Sequence, residues 1–264
     1  MEQVPLRFDG RPAALRAKGK GPLVLFAHPF PLDGSCWDDL IGRCAAAGLR
    51  GAAVDAPGFG GTPALGRPCT MDDLARLLAG ALDALATPAA TLVGCSMGGY
   101  AIMAFQRLFP DRLARALLVC TKASADSEAA RAKREEQAQA ALAHGPQAVI
   151  GELVPKMLSP RAPPQLLDRV RQLASGATAQ GIADALRGMA LRPDSTPDLP
   201  RWRAFTMALA GADDQLIPPA EAEAMARAIP GAIHASIAGA GHLAFVEKPD
   251  EVWTALAVLQ RGGF

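Results

Sequence analysis

The strongest chemical signal in the chain is Gly94-Cys95-Ser96-Met97-Gly98-Gly99. A serine with glycine two positions away on either side fits a sharp strand-to-helix turn. In such a turn the strained backbone exposes the hydroxyl and tolerates only tiny neighbours. The context agrees, because the apolar run Thr91–Val93 precedes the serine and the helix-like stretch Tyr100–Leu108 follows it. A helix starting there aims its first N–H groups at the hydroxyl. Ser96 is therefore the candidate nucleophile, and carbonyl attack is its chemistry. A dinucleotide-binding loop is disfavoured because the glycine spacing is wrong for it. Cys95 is read as core packing, since side chains flanking such a serine point into the sheet.

A serine hydroxyl needs a base. The four histidines are His28, His144, His234 and His242. His144 precedes Gly145 at the end of a predicted helix and reads as a cap. His234 falls inside the last predicted strand and reads as structural. His242 follows the loop Gly239-Ala240-Gly241 just after that strand, where a base can reach a nucleophile at the carboxyl edge of a sheet. It is the candidate base. A carboxylate must then fix its tautomer. Asp213 and Asp214 both follow the run Thr206–Ala210, and the residues alone leave either as the orienter. A tetrahedral intermediate also needs two backbone donors. Met97 N–H, after the nucleophile, is one. The second is expected from the loop His28-Pro29-Phe30-Pro31-Leu32-Asp33-Gly34, in which the prolines lack an N–H and Phe30 keeps one.

These residues need a scaffold that brings loop ends together. After Gly21, apolar runs without polar alternation recur at Leu23–Ala27, Gly51–Val54, Thr91–Val93, Ala116–Cys120, Thr206–Ala210 and Ala232–Ile237. They suit strands buried on both faces, and the helical stretches between them imply a mainly parallel sheet flanked by helices. Before them, Val4–Phe8 and Pro12–Lys18 could pair as a hairpin. Ser35-Cys36-Trp37-Asp38 and Thr70-Met71-Asp72-Asp73 resemble capping boxes. The alternation fails over 124–203, where helices are expected at Asp126–Ala143, Gln147–Leu158, Pro164–Ala174 and Thr178–Ala190. This block reads as a helical lid inserted in a core made of 1–123 and 204–264. Its basic run Arg131–Arg134, followed by Glu135 and Glu136, reads as a solvated helix face with local ion pairs. Gly58-Phe59-Gly60-Gly61 lacks the Lys-Ser/Thr of a phosphate loop and reads as a structural turn. Trp37, Trp202 and Trp253 read as core or hinge residues.

Composition narrows the partners. The chain has 264 residues and a formal net charge of +1, which gives no electrostatic grip on nucleic acid or an acidic membrane. The five cysteines, Cys36, Cys44, Cys69, Cys95 and Cys120, are scattered without metal or redox spacing and are expected to be free and buried. No apolar run approaches a membrane span and no signal peptide is evident, so a cytoplasmic location is expected.

Four motifs stand in order: the His-x-Phe-Pro-Leu loop, Asp55-Ala56-Pro57-Gly58-Phe59-Gly60-Gly61-Thr62, the Ser96 turn, and the Asp and His segments. From about Gly21 to Ala257 the chain resembles the α/β-hydrolase superfamily, and within it the esterase, haloperoxidase/perhydrolase and enol-lactonase branch. The resemblance implies an α/β-hydrolase fold and an oxyanion hole of Phe30 and Met97. It selects Asp214, four residues before Pro218, as the catalytic acid. Pro29 departs from the glycine commoner there. The implied activity is carboxylic-ester hydrolysis through an acyl-enzyme on a small-molecule ester or lactone, with no cofactor or metal. Lactonase, cofactor-free perhydrolase and carbon–carbon bond hydrolase share the same machinery. A slow-turnover ligand sensor of the same fold is the alternative of another class.

Overall fold

The computed structural model describes residues 1–262; Gly263 and Phe264, the end of the expected core segment, lie outside the described residues. Four short strands open the chain: β1 (Glu2–Gln3), β2 (Leu6–Phe8), β3 (Arg11–Ala13) and β4 (Leu15–Lys18). The expected hairpin is split in two. β2 and β3 pair with each other alone, while β1 and β4 join the main sheet. The break falls at Ala14, whose N–H donates to Thr62 Oγ1 and whose carbonyl accepts from Asp55 N–H. Those bonds divert the backbone between the two pairings.

The apolar runs form β5 (Leu23–Ala27), β6 (Arg50–Val54), β7 (Ala90–Cys95), β8 (Leu113–Val119), β9 (Phe205–Gly211) and β10 (Ile233–Ile237). The sheet order is β1-β4-β6-β5-β7-β8-β9-β10, with β5 to β10 parallel and β1 and β4 antiparallel. β5 and β7 are buried along their whole length, as unalternating apolar strands must be. β10, at the edge, is largely exposed, and His234 on it faces solvent. The chain order reverses between β5 and β7. In an open α/β sheet, the carboxyl edge at such a switch point is where ligands bind.

The helices are α1 (Asp38–Ala46), α2 (Met71–Ala84), α3 (Met97–Leu108), α4 (Glu128–His144), α5 (Gln147–Leu153), α6 (Pro164–Ala174), α7 (Ala179–Ala190), α8 (Pro219–Ala228), α9 (Ala244–Glu247) and α10 (Pro249–Arg261). α2 packs on α3, and α1 on α10. Thr70 and Asp73 form the expected capping box of α2. Ser35 does not cap α1. Asp33 instead caps the 3-10 turn Gly34–Trp37 that leads into the helix, accepting from Ser35 N–H. The expected helix Gln147–Leu158 ends early, because Pro155 has no N–H to continue it and Val154–Lys156 tightens into a 3-10 turn. α4 starts two residues late: Ser127 caps it, and Asp126 turns into the interior. Trp37 is fully buried and stacks on Phe245 at 3.9 Å between ring centroids. All five cysteines are free and buried. Among the described residues no helix is long and apolar enough to cross a membrane.

Candidate active site

β7 ends at Cys95 and α3 begins at Met97, so Ser96 is the single residue between strand and helix. Its backbone sits at φ 52° and ψ −112°, a conformation that costs a non-glycine residue about 1–3 kcal/mol. The glycines beside it make this possible. A Cβ on Gly98 would lie 2.1 Å from the Ala27 carbonyl oxygen, and one on Gly94 would lie 2.5 Å from the backbone of Gly98. The first turn of α3 can therefore press onto the end of β5 only if both side chains are absent. The Ser96 backbone is pinned on both sides. Its N–H donates to the Val119 carbonyl, and its carbonyl accepts from Tyr100 N–H and Thr121 Oγ1.

That close approach also sets Met97 beside the loop that leaves β5. Among the described residues, neither Met97 N–H nor Phe30 N–H has a protein acceptor, so both are unpaired backbone donors. His28, for which the sequence offered no role, builds the loop. It is buried, and its Nε2 accepts from Ala56 N–H at 2.9 Å, which leaves Nδ1–H to donate to the Pro29 carbonyl at 3.0 Å. Burial pushes the His28 pKa down, so the ring is held neutral, as this pair of bonds requires. Phe59 packs edge-on against His28 and Phe30. The Gly58–Gly61 turn is structural: Gly58 abuts Gly181 of α7, and its carbonyl accepts from Thr178 N–H.

Opposite Ser96, the loop after β9 carries the two aspartates. Asp214 Oδ2 lies 2.8 Å from His242 Nδ1, and both side chains are almost fully buried. Asp214 Oδ1 accepts from Leu216 N–H at 2.8 Å and Ile217 N–H at 3.0 Å, so the carboxylate cannot rotate freely. Asp213 points elsewhere and pairs with Arg161 at 2.9 Å. With Nδ1 bonded to Asp214, Nε2 is the ring nitrogen His242 has left. Ser96, His242 and Phe30 line one cleft of about 240 Å³. His144 ends α4, exposed and ahead of Gly145, and does not line it.

The loop bearing His242 is anchored by a residue the sequence reading missed. Glu247 Oε1 accepts from Gly241 N–H at 2.7 Å, and its carboxylate also accepts from Ser159 N–H. Leu243 N–H donates to the Met157 carbonyl, and Gln215 Nε2 to the Leu158 carbonyl. Residues 157–159, between β8 and β9, are thus tied to both the histidine and the aspartate loops. The rest of the chain between those strands supplies Ala130, Lys133, Arg134, Gln137, Leu153, Leu186 and Met189 to the cleft wall. The basic run is therefore not simply a solvated face. Lys133 and Arg134 look into the cleft, and Glu135, which accepts from Gln139 on its own helix, forms its ion pair with Arg187 of α7.

The geometry has counterparts. The model of the Alpha/beta hydrolase family matches residues 24–255. A thermophilic esterase from Thermogutta terrifontis superposes with a TM-score of 0.92 at 34% identity, over 98% of this chain and 97% of that one. The enol-lactonase of Burkholderia xenovorans LB400 shares the fold, with a TM-score of 0.89 at 22% identity, over 99% and 100% of the two chains. A 2-hydroxy-6-oxononadienedioate/2-hydroxy-6-oxononatrienedioate hydrolase of Paraburkholderia phymatum is 37% identical over 105 residues, 38% of this chain and 36% of that protein. The matched region of such curated relatives is well under half of their length.

Proposed function

This chain is a hydrolase of the alpha/beta hydrolase family, and we propose that it cleaves carboxylic esters through an acyl-enzyme formed on Ser96. The observation that carries the reading is the line from Asp214 through His242 to the cleft that Ser96 shares, with the nucleophile held on a strained turn. His242 Nε2 takes the Ser96 proton as Oγ bonds to the ester carbonyl carbon. The carbonyl oxygen becomes an oxyanion held by Met97 N–H and Phe30 N–H. Asp214 stabilises the imidazolium through Nδ1–H. The alkoxy C–O bond then breaks, and the leaving alcohol takes the proton from His242. Water repeats the sequence, with His242 as its base, and frees the acid. Apart from substrate and water, each step uses side chains and backbone N–H groups of this chain. The insertion 124–203 acts as the lid of this pocket, since its side chains wall the cleft.

The test is covalent labelling and kinetics together. A fluorophosphonate probe is expected on Ser96. Ser96→Ala should lower turnover of p-nitrophenyl esters by about a thousandfold or more, with the fold unchanged by circular dichroism. Labelling of another serine, or full activity in Ser96→Ala, refutes the assignment.

A further inference from the structure

The cleft is lined by two chemically different sets of side chains. Leu153, Leu186, Met189, Leu216 and Ile217 make its walls apolar. Beside them α4 presents Ala130, Lys133, Arg134 and Gln137. Their three- and four-residue spacing makes one stripe of the helix. On a helix that merely covered a pocket for neutral substrates this stripe would be apolar. Here three of its four side chains are donors, two of them cationic, and among the described residues no carboxylate side chain lines the cleft.

The protein leaves both cations with free donors. Lys133 has no ion pair or hydrogen bond among the described residues and is exposed to the cleft solvent. Arg134 gives Nε to Asp126, but Nη1 rests on the Met189 sulfur at 3.6 Å, and Nη2 has no acceptor among the described residues. Asp126 is shared between Arg134 and other cations. Arg192, itself buried, holds it at 2.8 Å, and Lys122 stands at 3.9 Å. One carboxylate thus faces three cations, which leaves positive charge in excess behind the stripe. A half-buried guanidinium edge with free donors, beside an unpaired ammonium, is a site for a planar anion.

We propose that the cleft selects esters that carry a carboxylate, held by Lys133 Nζ and the Nη edge of Arg134 while the ester carbonyl meets Ser96. The inference rests on the acyl-transfer reading of Ser96 and adds the substrate class. The carboxylate can belong to the acyl half, as in a hemiester of a dicarboxylic acid, or to the alcohol half, as in an acylated hydroxy acid. The recognition chemistry is the same for both.

The experiment compares isosteric pairs on the intact protein. For the acyl half, the p-nitrophenyl hemiester of glutaric acid is set against p-nitrophenyl 5-methylhexanoate, in which an isopropyl group replaces the carboxylate. For the alcohol half, the butyrate ester of 3-hydroxypropanoate is set against butyrate 3-methylbutyl ester, followed by proton release. In the wild type the anionic member of at least one pair should have the higher kcat/KM, and its KM should rise with salt while that of its partner does not. Lys133→Met and Arg134→Met should each cut the anionic-to-neutral ratio of kcat/KM by on the order of tenfold. Arg131→Met, on the same helix but outside the cleft, should leave that ratio unchanged. Arg134→Lys keeps a cation beside Asp126 while removing the planar fork, so a reduced ratio in that variant cannot come from misfolding of an orphaned Asp126. Equal kcat/KM within both pairs, or a preference that survives the Lys133→Met/Arg134→Lys double variant, overturns the proposal while leaving acyl transfer intact. Failure to turn over any of the four esters overturns the acyl-transfer reading and this inference with it.

Discussion

Replacing Asp214 by asparagine tests the orienting role more sharply than deletion would, because the surroundings dictate which way the amide faces. Oδ1 of Asp214 accepts two backbone N–H groups, from Leu216 and Ile217. An asparagine must keep its oxygen there. Flipping the amide would set its NH2 against two donors, and each lost bond to a buried partner costs about 1–3 kcal/mol. The NH2 therefore lands where Oδ2 was, 2.8 Å from His242 Nδ1. Nδ1 becomes an acceptor and the ring proton moves to Nε2, the nitrogen that should receive the Ser96 proton. The tautomer is wrong although the geometry is intact, and turnover should fall by up to about 10⁴-fold, the scale known for this change in another serine hydrolase. Asp213→Asn is the matched control. It weakens a pair with Arg161, whose side chain is 78% exposed. Such a pair is worth about 0–1 kcal/mol, so kcat should change less than about twofold. Steady-state kinetics on a p-nitrophenyl ester, with melting curves to show that both variants fold, decide the matter. A crippled Asp213→Asn beside an active Asp214→Asn would refute the reasoning.

Two further outcomes follow from the same contacts. Burial raises the Asp126 carboxyl, but hydrogen bonds from Arg192 and Arg134 outweigh it and hold the pKa at about 2, against an ordinary value of 3.8. A depressed carboxyl stabilises the fold above its unfolded pKa and loses that contribution as pH falls through the folded one. Asp126 should thus contribute on the order of 2 kcal/mol at neutral pH, fading between about pH 4 and pH 2. Urea denaturation of wild type and Asp126→Asn should show a gap near neutrality that narrows over that window; a gap independent of pH would contradict it. Glu247→Ala should free Gly241 from Ser159 and cost about 1.5–3 kcal/mol of stability with a lower kcat, while Glu247→Gln, which keeps an acceptor, should restore most of both; equal losses in the two variants would count against a role for the acceptor.

The parts of the site visible in the sequence are those whose physical demands are local. The Ser96 turn needs small residues at fixed positions, and the contact of Gly98 with Ala27 explains why. The strands were legible because burial on both faces leaves unbroken apolar runs, and α2 because its capping box lies within four residues. The rest depends on partners that only the fold brings near. His28 meets Ala56 because β5 pairs with β6, and nothing around His28 announces it. Asp213 and Asp214 are equivalent until the loop decides which one accepts from Leu216 and Ile217; spacing known from relatives pointed to Asp214, and the residues alone did not. The basic run was legible only in part, for a related reason: Arg131 and Lys133 are solvent-exposed as expected, but the ion pairs of its neighbours are not local. Reading it as a solvated face assumes that charges on a helix are satisfied by neighbours three or four residues away. In the structure Glu135 reaches Arg187 on another helix and Arg134 reaches back to Asp126, so the local sum of charges said nothing about which cations remain unpaired. Lys133 is left over from that exchange, and the wall of the cleft is where it is left.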